Sequence, residues 1–270
     1  LNFTQKLQNA TAANDSLLCI GLDPDTNLLP EGINLEGFIR NIIDSTRDLV
    51  CAYKINFAFF EALGKSCFHY LEYARQCIPA DVPAIADAKR ADIGNTSKAY
   101  AAAVFERLGF DAITVNPYMG SDSLAPFIEY ADRGIFILCR TSNSGSADFQ
   151  TLEVATRQGP MPLYRAVAVK AVEWNRHGNI GLVMGATHPD ELGIIRRQCP
   201  DMPLLIPGIG AQGGDIRTAV ENGASRHGNL ALINSSRHII HASREKDFAI
   251  ASRMAALTLR EQINGFRSRG

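Results

Sequence analysis

Short apolar runs rich in β-branched residues recur along the whole chain and alternate with segments of helical period. The runs cover residues 17–23, 51–56, 83–89, 112–117, 135–141, 179–186, 203–209 and 230–236. Their starts lie 23 to 44 residues apart, the shortest step from 112 to 135 and the longest from 135 to 179. That is the length of a strand followed by a helix, with one oversized connection. Helical patterns fill the gaps at 57–77, 96–108 and 121–133, and a long one runs over 246–264. Thr187-His188-Pro189-Asp190 reads as a helix start with proline just inside it, and Asn222-Gly223 as a helix stop.

Eight strands, each followed by a helix, most simply close into an α/β fold of the (β/α)8 type, a TIM barrel. Residues 3–13 form an extra N-terminal helix placed to cap the barrel floor. An open doubly wound sheet has the same strand count, but no reversal of strand order is visible in the sequence. With no linker rich in proline, serine or charge, residues 1–270 read as one barrel domain. The oversized connection carries an insert at about 143–162, containing Gly, Ser, Gln and Pro. A long loop at a strand's C-terminal end suggests a lid; a plain surface loop is the alternative.

The 270 residues are 46% hydrophobic and 20% charged, which excludes a disordered chain. Lys plus Arg number 27 against 28 Asp plus Glu, a balance that argues against a nucleic-acid polymer as partner. Mean hydropathy is −0.05 and no apolar run is long enough to span a bilayer, so no membrane partner is expected. The first seven residues have no basic stretch followed by an apolar one, and the six cysteines contain no C-x-x-C pair. Both features point to a cytoplasmic protein with reduced thiols.

In a barrel enzyme the site lies at the C-terminal ends of the strands. Those ends carry Asp23, Lys54, Asp87 with Lys89, Asn116, Thr141 with Ser142, Gln212 and Arg237. The densest cluster is Asp87-Ala88-Lys89-Arg90-Ala91-Asp92. Strand side chains alternate faces, so Asp87 and Lys89 point the same way, with Asp92 three residues on in the loop and Lys54 on the adjacent strand. Two carboxylates and two ammonium groups alternating in space would keep Lys89 protonated and placed, ready to act as a general acid or to stabilise a developing anion. The bland alternative is an ion network that merely closes the barrel.

A second cluster, Pro207-Gly208-Ile209-Gly210-Ala211-Gln212-Gly213-Gly214, contains G-x-G-x-x-G. A dinucleotide site wants an acidic residue about 20 positions on, but residues 222–243 contain neither Asp nor Glu. The loop follows the seventh strand, where barrels commonly bind phosphate, and Ser236-Arg237 ends the eighth. A phosphate cradle is therefore expected, with Arg237 pairing to the anion. Asp23-Pro24-Asp25-Thr26-Asn27 begins like a calcium loop but lacks its turn glycine and final Glu, and no zinc set completes His238 and His241. No metal site is expected.

Asp87-Ala88-Lys89-Arg90-Ala91-Asp92-Ile93-Gly94-Asn95-Thr96 resembles the D-x-K-x-x-D-I-x-x-T signature of the orotidine 5′-phosphate decarboxylases. More narrowly it is similar to the branch reading D-A-K-R-G-D-I-G-N-T, with Ala91 where glycine is usual. Gly21-Leu22-Asp23, Tyr53-Lys54-Ile55-Asn56, the glycine loop and Asn234-Ser235-Ser236-Arg237 match in order.

The resemblance implies conversion of orotidine 5′-monophosphate to uridine 5′-monophosphate and CO2, the last step of de novo pyrimidine nucleotide synthesis, without a metal or organic cofactor. It implies that Asp23 and Lys54 meet the ribose and its network, that Asp87 lies against the substrate carboxylate, and that Lys89 protonates C6. Ser142 and Pro207 would meet the pyrimidine; Gln212, Ser236 and Arg237 would hold the phosphate. Asp92, Ile93 and Thr96 would come from the partner subunit of a homodimer with shared active sites. Two rivals stand beside this reading. One is a metal-dependent hexulose-phosphate synthase or ketogulonate-phosphate decarboxylase, which shares the D-x-K-x-x-D core. The other is a non-catalytic sensor of a phosphate ligand, which has no need of Lys89.

Overall fold

The computed structural model describes residues 1–209 and 213–267. Strands Leu18–Leu22, Ala52–Asn56, Ala84–Arg90, Ala112–Val115, Gly134–Arg140, Ile180–Met184, Leu204–Ile206 and Ala231–Ser235 pair in parallel in chain order. The eighth returns to the first through Leu18↔Ile233 and Cys19↔Asn234, so the sheet closes into a (β/α)8 barrel. The strands read as continuous apolar runs because both of their faces are buried, one inside the barrel and one under helices.

The inner layer is Cys19, Ala52, Ile85, Ala112, Phe136, Val183, Leu205 and Leu232. The N-terminal helix Phe3–Ala13 plugs it from below, as its sequence led us to expect. Phe3 meets Phe136 edge-on at 5.5 Å, and Lys6 Nζ donates to Asp111 Oδ1 at 2.7 Å. A side chain at Gly134 would strike the Phe3 ring at 2.5 Å, so the floor closes only on glycine. With the floor sealed, the barrel opens only at the C-terminal ends of its strands.

Some boundaries differ from the sequence pattern, each for a local reason. The expected helix 57–77 is two, Phe57–Glu61 and Cys67–Cys77, split where Gly64 turns to φ +63°. The helix expected at 96–108 starts at Gly94, and its last turn, Ala103–Arg107, widens to a π-helix. The seventh strand stops at Ile206 because Pro207 has no N–H to give and Gly208 takes φ +103°. A helix after the first strand, Leu35–Thr46, is capped by Asn34, and a short one, Arg237–Ile240, follows Ser236.

The insert contains a 3₁₀ turn, Ser144–Asp148, and a two-stranded antiparallel ribbon, Glu153–Val154 with Met161–Pro162. All six cysteines are free, and every one except Cys77 is buried. No helix among the described residues is long and apolar enough to cross a membrane.

Candidate active site

A cavity of about 460 Å³ fills the open end of the barrel. Its charged wall comes from the first three strands. Lys54 Nζ lies 3.7 Å from Asp23 Oδ1 and 2.9 Å from Asp87 Oδ2, and Lys89 Nζ lies 2.6 Å from Asp87 Oδ1. The four groups thus alternate in sign along one row; its second carboxylate is Asp23 rather than the Asp92 expected from the sequence, which the turn at Ser97 keeps out of the cavity. Burial works against charge on Lys54, but Asp87 and Asp23 outweigh it and hold the ammonium above its usual pKa. Burial likewise opposes charge on Asp87, and Lys54 and Lys89 outweigh it, keeping the carboxyl well below its usual range. Both are therefore ionised at neutral pH.

Thr114 completes the row, and sequence reasoning missed it. Its hydroxyl donates to Asp87 Oδ1 at 2.9 Å and accepts the Lys89 backbone N–H at 3.0 Å. A threonine on the inward face of an otherwise apolar fourth strand was the available signal. The contact also fixes an unusual backbone. Lys89 sits at φ +48°, and the pairing of the third and fourth strands shifts register between Ala86 and Arg90. A left-handed non-glycine residue costs about 1–3 kcal/mol and persists where the surroundings impose it. Here it swings the Lys89 side chain, 49% exposed, over the cavity while Asp87 stays buried beneath. A network that only closed the barrel would have no use for a strained, half-exposed member.

The opposite wall is apolar, built from Leu138, Val183, Leu205 and Pro207, with Ser142 at its rim. Ser236 and Arg237 line the cavity at the end of the eighth strand. Gly21 makes room for Ser236: a Cβ there would meet the Ser236 hydroxyl oxygen at 1.9 Å. After the seventh strand the Gly214 N–H donates to the Gly208 carbonyl at 3.1 Å. A side chain at Gly214 would strike that carbonyl at 2.7 Å. Beyond it, the Asp215 side chain accepts the Thr218 N–H and starts the helix Ile216–Gly223. Gln212 lies outside the described residues.

Asp92, Ile93 and Thr96 do not join this cavity, although Asp92 is only three residues past Lys89. The Ser97 hydroxyl accepts the Asp92 N–H at 3.1 Å and donates to the Asp92 carbonyl at 2.6 Å, turning the chain outward. Ile93 is left 60% exposed.

Among the described residues, no group of three or more His, Cys, Asp or Glu side chains is placed to hold a metal ion. The calcium-like stretch is instead a turn: the Asp25 side chain accepts the Asn27 N–H and starts a 3₁₀ helix, Thr26–Leu28.

Known proteins resemble this chain over its full length. A curated orotidine 5′-phosphate decarboxylase of Dehalococcoides mccartyi is 54% identical over 269 residues, covering 100% of both chains. One of Cupriavidus necator is 49% identical over 278 aligned positions, covering 99% of each. The solved structure of Leishmania donovani OMP decarboxylase superposes with a TM-score of 0.87 at 39% identity over 99% of both chains. Residues 16–250 match the sequence profile of one family. By that match and these identities, the chain belongs to the orotidine 5′-phosphate decarboxylase / HUMPS family.

Proposed function

We propose that this chain is a carboxy-lyase that converts orotidine 5′-monophosphate to uridine 5′-monophosphate and CO2, the closing step of pyrimidine nucleotide synthesis. The observation that carries the reading is the row Asp23–Lys54–Asp87–Lys89 ending on a half-exposed ammonium held by a strained backbone. Breaking the C6–carboxylate bond leaves its electron pair on C6, where no carbonyl delocalises it. The catalyst must set positive charge at that carbon, and Lys89, half-exposed over the cavity and paired with Asp87, is placed to supply it. A proton from Lys89 Nζ then passes to C6, and solvent restores the lysine. Asp87, ionised and immobile between two lysines, lies beside the substrate carboxylate and favours departure of the like charge as neutral CO2. Asp23 and Lys54 meet the ribose, Ser142 and Pro207 the pyrimidine, and Ser236, Arg237 and Gln212 the phosphate.

In this reading the enzyme works in the cytoplasm as a homodimer, and Asp92, Ile93 and Thr96 reach the partner's site. Support for shared sites comes from the outward turn at Asp92. Exposed Ile93, Tyr118 and Met119, 60%, 86% and 46% accessible, stand on the neighbouring loops after the third and fourth strands.

No cofactor enters the proposal, because Lys54 already occupies the space between the two carboxylates that a divalent cation would need. Dialysis against EDTA is expected to leave CO2 release from orotidine monophosphate unchanged. Activity lost on dialysis and restored by Mg²⁺ would point instead to the hexulose-phosphate chemistry that the family name also covers, and an inert protein that still binds nucleotide would be a sensor.

Arg237→Ala is expected to raise KM steeply and to lower kcat as well, since binding energy at the remote phosphate is realised in the transition state. Steady-state kinetics should then show kcat/KM down by about 10²-fold or more, the loss of a charge-assisted pair. A change confined to a factor of two in either constant would remove Arg237 from the phosphate site.

A further inference from the structure

The insert reaches the cavity through Asn143 and Gln150, neither of which the reaction itself uses. Gln150 lines the cavity wall next to Thr141 and Ser142. Its Oε1 accepts the Thr141 backbone N–H at 2.9 Å, and its Nε2 donates to Thr141 Oγ1 at 2.8 Å. Both ends of the amide are thus spent on the residue before Ser142.

Gln150 is itself held. Its N–H donates to the Ser146 carbonyl at 3.0 Å, and its carbonyl accepts the Tyr164 N–H at 2.9 Å. Beneath it, Arg140 is only 4% exposed, and its Nη1 donates to Ser146 Oγ at 2.5 Å and reaches Gln150 Oε1 at 3.4 Å. Ser142 is confined from the other side too. A Cβ at Gly185 would meet the Ser142 nitrogen at 2.7 Å, and Thr187 Oγ1 donates to the Ser142 carbonyl at 3.3 Å.

We infer that Gln150 is a positioning residue: it staples the insert to the end of the fifth strand and so fixes Ser142 against the pyrimidine. Residues 143–150 then serve as a built wall of the base pocket. The inference rests on the assignment of Ser142 to the pyrimidine. It follows from a simple mechanical fact. Residues 141–142 have left the barrel ladder, so side-chain bonds must do there what strand pairing does elsewhere, and displacing a binding group by about 1 Å is enough to cost up to 10²-fold.

The test is a double-mutant cycle with Gln150→Leu and Ser142→Ala in the full chain, reading kcat and KM for orotidine monophosphate, with melting temperature alongside. Gln150→Leu is expected to lower kcat/KM about tenfold in the parent and less than twofold in the Ser142→Ala background, because a staple with nothing to place has no effect. Gln150→Glu should keep more of the activity than Gln150→Leu, since a carboxylate still accepts the Thr141 N–H and faces Arg140, although the Thr141 hydroxyl, which donates to Asn143 Oδ1 at 2.7 Å, then loses its donor from residue 150. Gln150→Met, equally long and without hydrogen bonds, runs the same cycle if Gln150→Leu does not fold. Equal fold-losses in both backgrounds, or Gln150→Glu no better than Gln150→Leu, would overturn the positioning role. Ser142→Ala at full activity would instead overturn the assignment of Ser142 beneath it.

Discussion

Lys89→Ala loses turnover by about 10⁴-fold or more while a product nucleotide still binds within a few-fold of the parent. The size follows from two roles on one nitrogen. Preorganised positive charge at a developing anion is worth about 10²–10³ in rate, and a placed general acid about 10²–10⁴. Binding survives because the phosphate and base contacts are made by other residues. The fold survives as well. Lys54 and Thr114 still hold Asp87, at 2.9 Å each, and a half-exposed ion pair contributes about 1 kcal/mol or less. Single-turnover kinetics, product titration and circular dichroism together check the claim. Should binding fall as far as catalysis, Lys89 would be a member of a structural network and its strained backbone would need another explanation.

How much of this was legible beforehand depended on whether the signal was local. The barrel was, because a parallel strand buried on both faces has to be a continuous apolar run, and eight such runs spaced by helix lengths have few ways to pack. Lys54, Asp87 and Lys89 stood out as charges at the ends of such runs, where burial makes charge costly unless it is paired. Strict alternation placed Asp87 and Lys89 on one face, and they do meet. The backbone between them is nonetheless irregular, with Lys89 at φ +48°. Nothing in Asp-Ala-Lys announces a left-handed lysine; it is imposed by Thr114, 25 residues further on. Gln150 was illegible for a similar reason. A glutamine in a Ser- and Gly-rich insert looks like solvent-facing polarity until the fold brings it back onto Thr141. Gly64 and Pro207 were visible as residues, yet their effect on helix and strand ends depended on backbone geometry that periodicity does not report.

Lys89→Ala and Asp92→Ala, each nearly inactive alone, are expected to restore one another when their subunits are exchanged. The two residues are three apart in sequence, so proximity alone would put them in one site, and a mixture of the two mutants would then hold no intact site in any combination. The structure turns Asp92 away from its own cavity, through the Ser97 clamp, and leaves Ile93 beside it 60% exposed. If Asp92 serves the partner's site, a hybrid dimer has one site lacking both groups and one site with both. Random reassortment of equal amounts makes half the dimers hybrids, each with one good site of two, so activity should recover to about a quarter of the parent level. The measurement is CO2 release after joint refolding, with exchange followed by a mass tag on one mutant and the separately refolded mutants as the baseline. A confirmed hybrid population with no gain in activity would return Asp92 to its own chain and end the shared-site reading. A gain near a quarter would require each site to be built from two chains, because no arrangement within one chain can assemble an undamaged pair.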